Sequence, residues 1–158
     1  MKNTIFIRNV LDSDLPIFFE QQLDPDANYM AAFTSKDPTD REAFDKHWGR
    51  ILTNKTGAIQ TILYQGQVAG SVLKYEDEGH PEVSYWLGKE FWGKGIATAA
   101  LRAFLEIVQD RPMYARAASD NAASIQVLEK CGFIISGKGK GFANARGQEV
   151  EEYVLVLK

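Results

Sequence analysis

A strand-like run, Glu82 to Leu87, is followed by Gly93-Lys94-Gly95-Ile96-Ala97-Thr98 and then by a helical stripe of Ala97, Ala100, Leu101, Phe104, Leu105 and Val108. A turn of small residues therefore joins a strand to the N-terminus of an amphipathic helix. In that geometry the first helical N–H groups lack helical partners, and the positive end of the helix dipole lies behind them. Glycine lets an anion approach the backbone closely. Phosphate or pyrophosphate is the expected guest, and Leu87, Trp92, Gly93, Lys94, Gly95, Ile96, Ala97 and Thr98 are the residues expected to border it.

Two familiar phosphate motifs fit this stretch badly. Gly88 to Lys94 satisfies G-x-x-x-x-G-K, but Gly95 stands where a magnesium-binding Ser or Thr is required. An NTPase would also need more parallel strands than the rest of the chain supplies. Gly93-Lys94-Gly95 begins a dinucleotide fingerprint, yet Thr98 takes the place of its last small residue. A plain strand-to-helix turn is a further alternative.

The chain has 158 residues, enough for one domain with a core. Its formal net charge is −3 and it has no long basic run, which argues against a nucleic-acid partner and leaves a cationic substrate unrepelled. No signal-peptide core opens the sequence, and no apolar stretch is long enough to cross a membrane, so a cytoplasmic protein is expected. Cys131 is the single cysteine, and His47 and His80 lie far apart, so no metal site is expected.

Read along the chain, Thr4 to Val10 is a strand, and Asp12 or Ser13 caps a helix carrying Leu15, Ile17, Phe18 and Phe19. Asp24-Pro25-Asp26 breaks it, and 27–33 is irregular or a short helix. A second helix runs from Arg41 to Leu52. Thr56 to Tyr64 and Val68 to Tyr75 form a hairpin about Gln65-Gly66-Gln67. Beyond the glycine turn and its helix come a strand to Ala118, a helix opened by Asp120-Asn121, and a strand begun by Phe133. The Gly- and Lys-rich 137–147 reads as a mobile hairpin loop before a last strand, Val150 to Leu157.

Gly93-x-Gly95-x-Ala97 resembles the acetyl-coenzyme A loop of the GNAT N-acetyltransferase superfamily, Q/R-x-x-G-x-G/A, with Trp92 in the Gln/Arg place. Trp-Gly-Lys-Gly followed by Ala-Thr resembles its RimJ/RimL-type branch. Asn121-Ala122-Ala123-Ser124 and then Leu128 to Phe133 resemble the second signature, and the element order over nearly the whole chain is that of the GNAT fold. The resemblance implies an α/β (α+β) fold: a central mixed, mostly antiparallel twisted sheet of about seven strands, with about four helices, spanning residues 1–158. It further implies acetyl transfer from acetyl-CoA to a primary amine, a protein N-terminus or a small molecule, with no metal, nucleic acid or membrane, by a monomer or homodimer. A non-catalytic acyl-CoA binding or sensing module is the alternative.

The resemblance gives Asn121 a bond to the pantetheine arm; a helix N-cap is its other reading. The usual Tyr acid is replaced by Leu128, which leaves Ser124 as a candidate donor to the sulfur or as a packing residue. Glu82 is the expected base, with Glu149, Glu151 and Glu152 as an acidic border. Alternation puts Glu82, Ser84 and Trp86 on one face and Val83, Tyr85 and Leu87 on the other, with Tyr85 a polar aromatic candidate at the acceptor channel. Arg116 and Lys94 are candidates for the coenzyme phosphates, and Cys131 reads as a buried structural thiol.

Overall fold

The computed structural model describes residues 4–158; residues 1–3 of the expected domain lie outside the described residues. Seven strands form one sheet: β1 (Ile5–Arg8), β2 (Ala58–Tyr64), β3 (Gln67–Asp77), β4 (His80–Leu87), β5 (Met113–Ala118), β6 (Ile134–Ala143) and β7 (Gln148–Leu157). Their spatial order is β1-β2-β3-β4-β5-β7-β6, antiparallel throughout except for the parallel β4–β5 pair. Five helices flank it: α1 (Leu15–Gln21), α2 (Pro25–Ala31), α3 (Arg41–Thr53), α4 (Ile96–Ile107) and α5 (Ala122–Lys130).

The fifth helix is α2, the short helix that is one of the two readings for 27–33, begun two residues earlier by the residues expected to break α1. The Asp24 carboxylate accepts from the Asp26 N–H and Pro25 occupies the first turn, so the segment that stops one helix starts another. At the other break, Gln65 and Gly66 both take positive φ, 51° and 81°, in the tight turn expected between β2 and β3.

One sheet face carries α4 and α5. Ile62, Val72, Val83 and Leu155 from four strands pack there against Leu101, Phe104 and Leu128. On the opposite face, α1 and α3 cover β2 and β3 through Phe18 and Trp48, stacked at 5.0 Å, with Phe44 beside them. Asp14 anchors α1 there: Arg8, Thr61 and the Leu11 N–H all donate to its carboxylate. The end of α2 is seated on β5, β6 and β7 by Ala32, Ala118, Ala143 and Val150, small enough for close approach.

The parallel β4–β5 ladder has a single register pair, Glu82 with Tyr114. Beyond it the two strands diverge, and the β4 backbone from Val83 to Leu87 has no β5 partner. That gap positions everything below.

Candidate active site

The glycine loop leaves the end of β4 through a short 3-10 turn, Lys89–Phe91. Gly93 and Gly95 have φ of 74° and 76°, and Gly95 is the N-cap of α4 with no side chain bonding the helix N–H groups. A Cβ placed on either glycine would meet nothing within 4 Å. Packing therefore does not require glycine at these two positions. Left-handed backbone does, and so would an anion seated against the loop. The Trp92 indole donates to the Leu87 carbonyl at 3.0 Å and folds the loop back onto β4. Trp92, Gly93, Gly95, Ile96, Ala97 and Thr98 line a cleft of about 700 Å³ that runs on into the β4–β5 gap. Lys94 is exposed and is not among the lining residues.

The α5 end forms the next wall. Asn121 caps the helix, its Oδ1 accepting from the Ser124 N–H at 3.2 Å, and its Nδ2 donates to the Met30 carbonyl at 3.2 Å. Both arms of the amide are engaged, one on α5 and one on α2. The Tyr85 hydroxyl donates to Ser124 Oγ at 3.2 Å, and both residues line the cleft. Burial pushes the Tyr85 phenol up, so it stays protonated. Leu128 is buried in the core and supplies only an apolar patch of wall.

Glu82 lies on the opposite face of β4 from Tyr85, as alternation requires, and is buried. Tyr75 Oη donates to Glu82 Oε2 at 2.5 Å, and Arg116 Nε donates to Oε1 at 3.3 Å. Arg116 also meets Glu152 at 3.0 Å and Asp77 at 3.7 Å. A hydrogen-bonded row thus crosses four strands, Tyr75–Glu82–Arg116–Glu152. Three carboxylates surround one guanidinium, so the row is anionic and suits a cationic guest. Burial, then the bond to Glu82, push the Tyr75 phenol far up. Arg116 is committed to this row, on the other face from the glycine loop, rather than free for the phosphates.

The last wall joins α2 to the β6–β7 hairpin. At Ala32 the backbone takes φ 66° and ψ −58°, and the Phe33 N–H bonds back to the Ala31 carbonyl at 2.7 Å. This is the strained, positive-φ form of γ-turn. It directs Phe33 and Thr34 into the cleft wall. The segment expected to be a mobile loop is instead β6 and an anchored turn. Arg146 makes a two-pronged bond to Asp120 at 2.6 and 2.9 Å, donates to the Tyr29 carbonyl at 2.8 Å, and stacks over the Tyr29 ring at 4.2 Å. Asn144 donates to the Thr34 carbonyl at 2.9 Å.

The cleft brings together Glu82, Tyr85, Ser124, Asn121 and Glu152 with the loop residues, while Glu149 and Glu151 are exposed and outside it. His47 is exposed on α3, outside the cleft lining. The Cys131 thiol is half-buried, pushed up by burial, and points to the Thr98 carbonyl, which fits a structural role. Sequence reasoning missed Tyr75 and Arg146. A β3–β4 hairpin turning at Glu78-Gly79 sets Tyr75 opposite Glu82, so register alone could have found the first. Nothing local marks the second. Among the described residues no cluster of His, Cys, Asp and Glu is arranged to hold a metal ion, and no helix is long and apolar enough to cross a membrane.

Comparison with known proteins agrees with this geometry. Residues 4–134 match the family described as "Acetyltransferase (GNAT) domain". YdaF of Bacillus subtilis (strain 168), provisionally named a ribosomal N-acetyltransferase, is 31% identical over 140 residues, covering 82% of this chain and 76% of YdaF. RimL, a ribosomal L7/L12 α-N-protein acetyltransferase solved in complex with coenzyme A, superposes with a TM-score of 0.79 at 24% identity, over 98% of this chain and 94% of RimL. Mycobacterium smegmatis RimJ, solved in complex with a coenzyme A disulfide, gives 0.80 at 20% identity, over 97% of this chain and 81% of RimJ. A glycine loop at a helix N-terminus, a sheet parted beside it and a sequence match over most of its length together place this chain in the GNAT acetyltransferase family.

Proposed function

We propose that the protein moves the acetyl group of acetyl-CoA directly onto a primary amine, with Glu82 as the base and Ser124 as the donor to the leaving thiolate. One observation carries this reading. The β4–β5 gap passes through the sheet, with the glycine loop and the Tyr85–Ser124 pair on one side and the Glu82 row on the other. Two reactants can meet there from opposite faces.

In this reading the loop N–H groups at Gly93 to Ala97 hold the pyrophosphate. The unpaired β4 backbone lines the arm of the coenzyme, and one of its N–H groups supports the carbonyl oxygen as charge develops. An alkyl ammonium has a pKa of roughly 10, so the acceptor must lose a proton before it attacks. Glu82 takes that proton, held in place by Tyr75 and Arg116. Ser124 accepts the Tyr85 hydrogen bond, which leaves its own O–H free for the sulfur. Asn121 contributes by fixing α5 against α2.

The alternative, a binding or sensing module without turnover, draws on Leu128, which offers no proton where the family commonly has Tyr. Thiol release during incubation with acetyl-CoA and an amine separates the two. Ser124→Ala should lower kcat about 100-fold or more while acetyl-CoA binds as before. Wild-type turnover in Ser124→Ala would remove Ser124 from the proton path.

A further inference from the structure

Each oxygen of the Glu82 carboxylate is already taken. The side chain is only 9% exposed. Oε2 accepts from the Tyr75 hydroxyl at 2.5 Å, and Oε1 accepts from Arg116 Nε at 3.3 Å. An ammonium coming to Oε1 meets a guanidinium of its own sign. One coming to Oε2 meets the Tyr75 hydroxyl.

Tyr75 presents what Glu82 does not. It is half-buried on β3, directly across the ladder from Glu82, and it lines the cleft. Its Oη donates to Glu82 and, among the described residues, accepts from nothing, so a lone pair is left for a guest. The 2.5 Å length belongs to the charge-assisted O–H···O⁻ class. Burial, then the bond to Glu82, push the phenol far up, so a tyrosinate does not form on its own. The hydroxyl can give its proton to Glu82 only while it takes another. An N–H donated to Oη polarises the O–H bond and favours that transfer.

We propose that Tyr75 is a further catalytic residue, a relay that touches the acceptor amine and passes its proton on to Glu82. The proposal rests on reading Glu82 as the base. One N–H bond of the ammonium breaks as its proton joins Tyr75 Oη. In the same step the Tyr75 O–H bond breaks and that proton joins Glu82 Oε2. The nitrogen keeps the electron pair and becomes the nucleophile. Tyr75 ends as it began, and Glu82 ends as a neutral carboxylic acid. The β3–β4 register thus supplies the reaction with a residue from a strand that does not border the β4–β5 gap.

The test compares Tyr75→Phe, which keeps the ring and removes only the hydroxyl, with Glu82→Gln and with the double variant. Thiol release from acetyl-CoA is followed with pooled primary amines, alaninamide and spermidine among them, between about pH 6 and 10. Melting curves and calorimetric titration with acetyl-CoA check that each variant is folded and binds the coenzyme. Each single variant should lose at least about 100-fold in kcat at neutral pH. The double variant should lose no more than the slower single one, because both residues act on one proton. The Tyr75→Phe loss should shrink as pH rises toward the amine pKa of roughly 10, where the acceptor arrives neutral. A slow Glu82→Gln beside a Tyr75→Phe that keeps the wild-type kcat plateau, with only the acid limb of its profile moved up, would overturn the relay and leave Glu82 as base. Losses that multiply in the double variant would overturn it too. Wild-type turnover in Glu82→Gln, or no amine-dependent thiol release from the wild type, would refute the base reading and the relay together.

Discussion

Replacing Gly95 with alanine separates the conformational role of the loop from its ligand role. Gly95 sits at φ 76° with no heavy atom within 4 Å of an added Cβ. An L-residue there costs about 1–2 kcal/mol of backbone strain. For a domain of this size that lowers the melting temperature by about 2–8 °C. Gly66 is a matched control: φ is 81°, the surroundings are equally open, and it lies in the β2–β3 turn outside the cleft lining. The two variants should lose similar stability. Only Gly95→Ala should lose coenzyme affinity, because either the new methyl obstructs the phosphate or the relaxed backbone turns an N–H away. One charge-assisted hydrogen bond is worth about 1.5–3 kcal/mol, so affinity should fall about 10–100-fold. Calorimetric titration with acetyl-CoA, beside melting curves of both variants, reads the two effects separately. If Gly95→Ala binds acetyl-CoA as tightly as Gly66→Ala, the loop does not hold the phosphates.

Three further outcomes follow from the geometry. Glu82→Gln should retain acetyl-CoA affinity and lose at least about 100-fold in kcat near neutral pH, measured by thiol release; unchanged kcat removes Glu82 as base. Arg146→Ala should cost about 2 kcal/mol in urea unfolding, discounted for the exposure of Asp120, and should raise the acceptor KM more than it lowers kcat, because Arg146 ties the β6–β7 turn to α2. Asp14→Asn should destabilise the fold by about 2–3 kcal/mol at pH 7. Burial would raise the Asp14 carboxyl, but the Arg8, Leu11 and Thr61 donors outweigh it and hold the folded value below the ordinary one. This stabilisation is full above the unfolded pKa of about 3.9 and is lost as pH falls through the folded pKa, so the gap between wild type and variant should close in acid. A gap that widens in acid would contradict the assignment.

What local pattern controls was legible in the sequence. The strand, glycine turn and amphipathic helix from Glu82 to Val108 announced α4 and its loop, and alternation placed Glu82 and Tyr85 on opposite faces of β4. Asn121 read equally as cap or ligand, and the cap is what the structure displays. Less legible was whatever depends on distant partners. Asp24-Pro25 looked like a break because the same residues that end a helix can start one. The glycine and lysine content of β6 argued for a loop, yet β7 supplies it with a ladder from Ile134 to Ala143, interrupted by a bulge at Ser136. Arg116 looked like a phosphate ligand until three carboxylates from β3, β4 and β7 converged on it. No local rule brings Arg146 to Tyr29 and Asp120, since the partners meet only when the sheet is complete.

In the proposed reaction the parted strands β4 and β5 admit acetyl-CoA and an amine to one reaction centre. The most direct test of this claim incubates the protein with acetyl-CoA, with and without pooled free-amine acceptors, and follows free thiol together with the mass of each acceptor. Amine-dependent thiol release, matched mole for mole by acetylated acceptor, is the predicted result. Acetyl-CoA binding without amine-dependent release would contradict the claim and leave a binding module on the same fold.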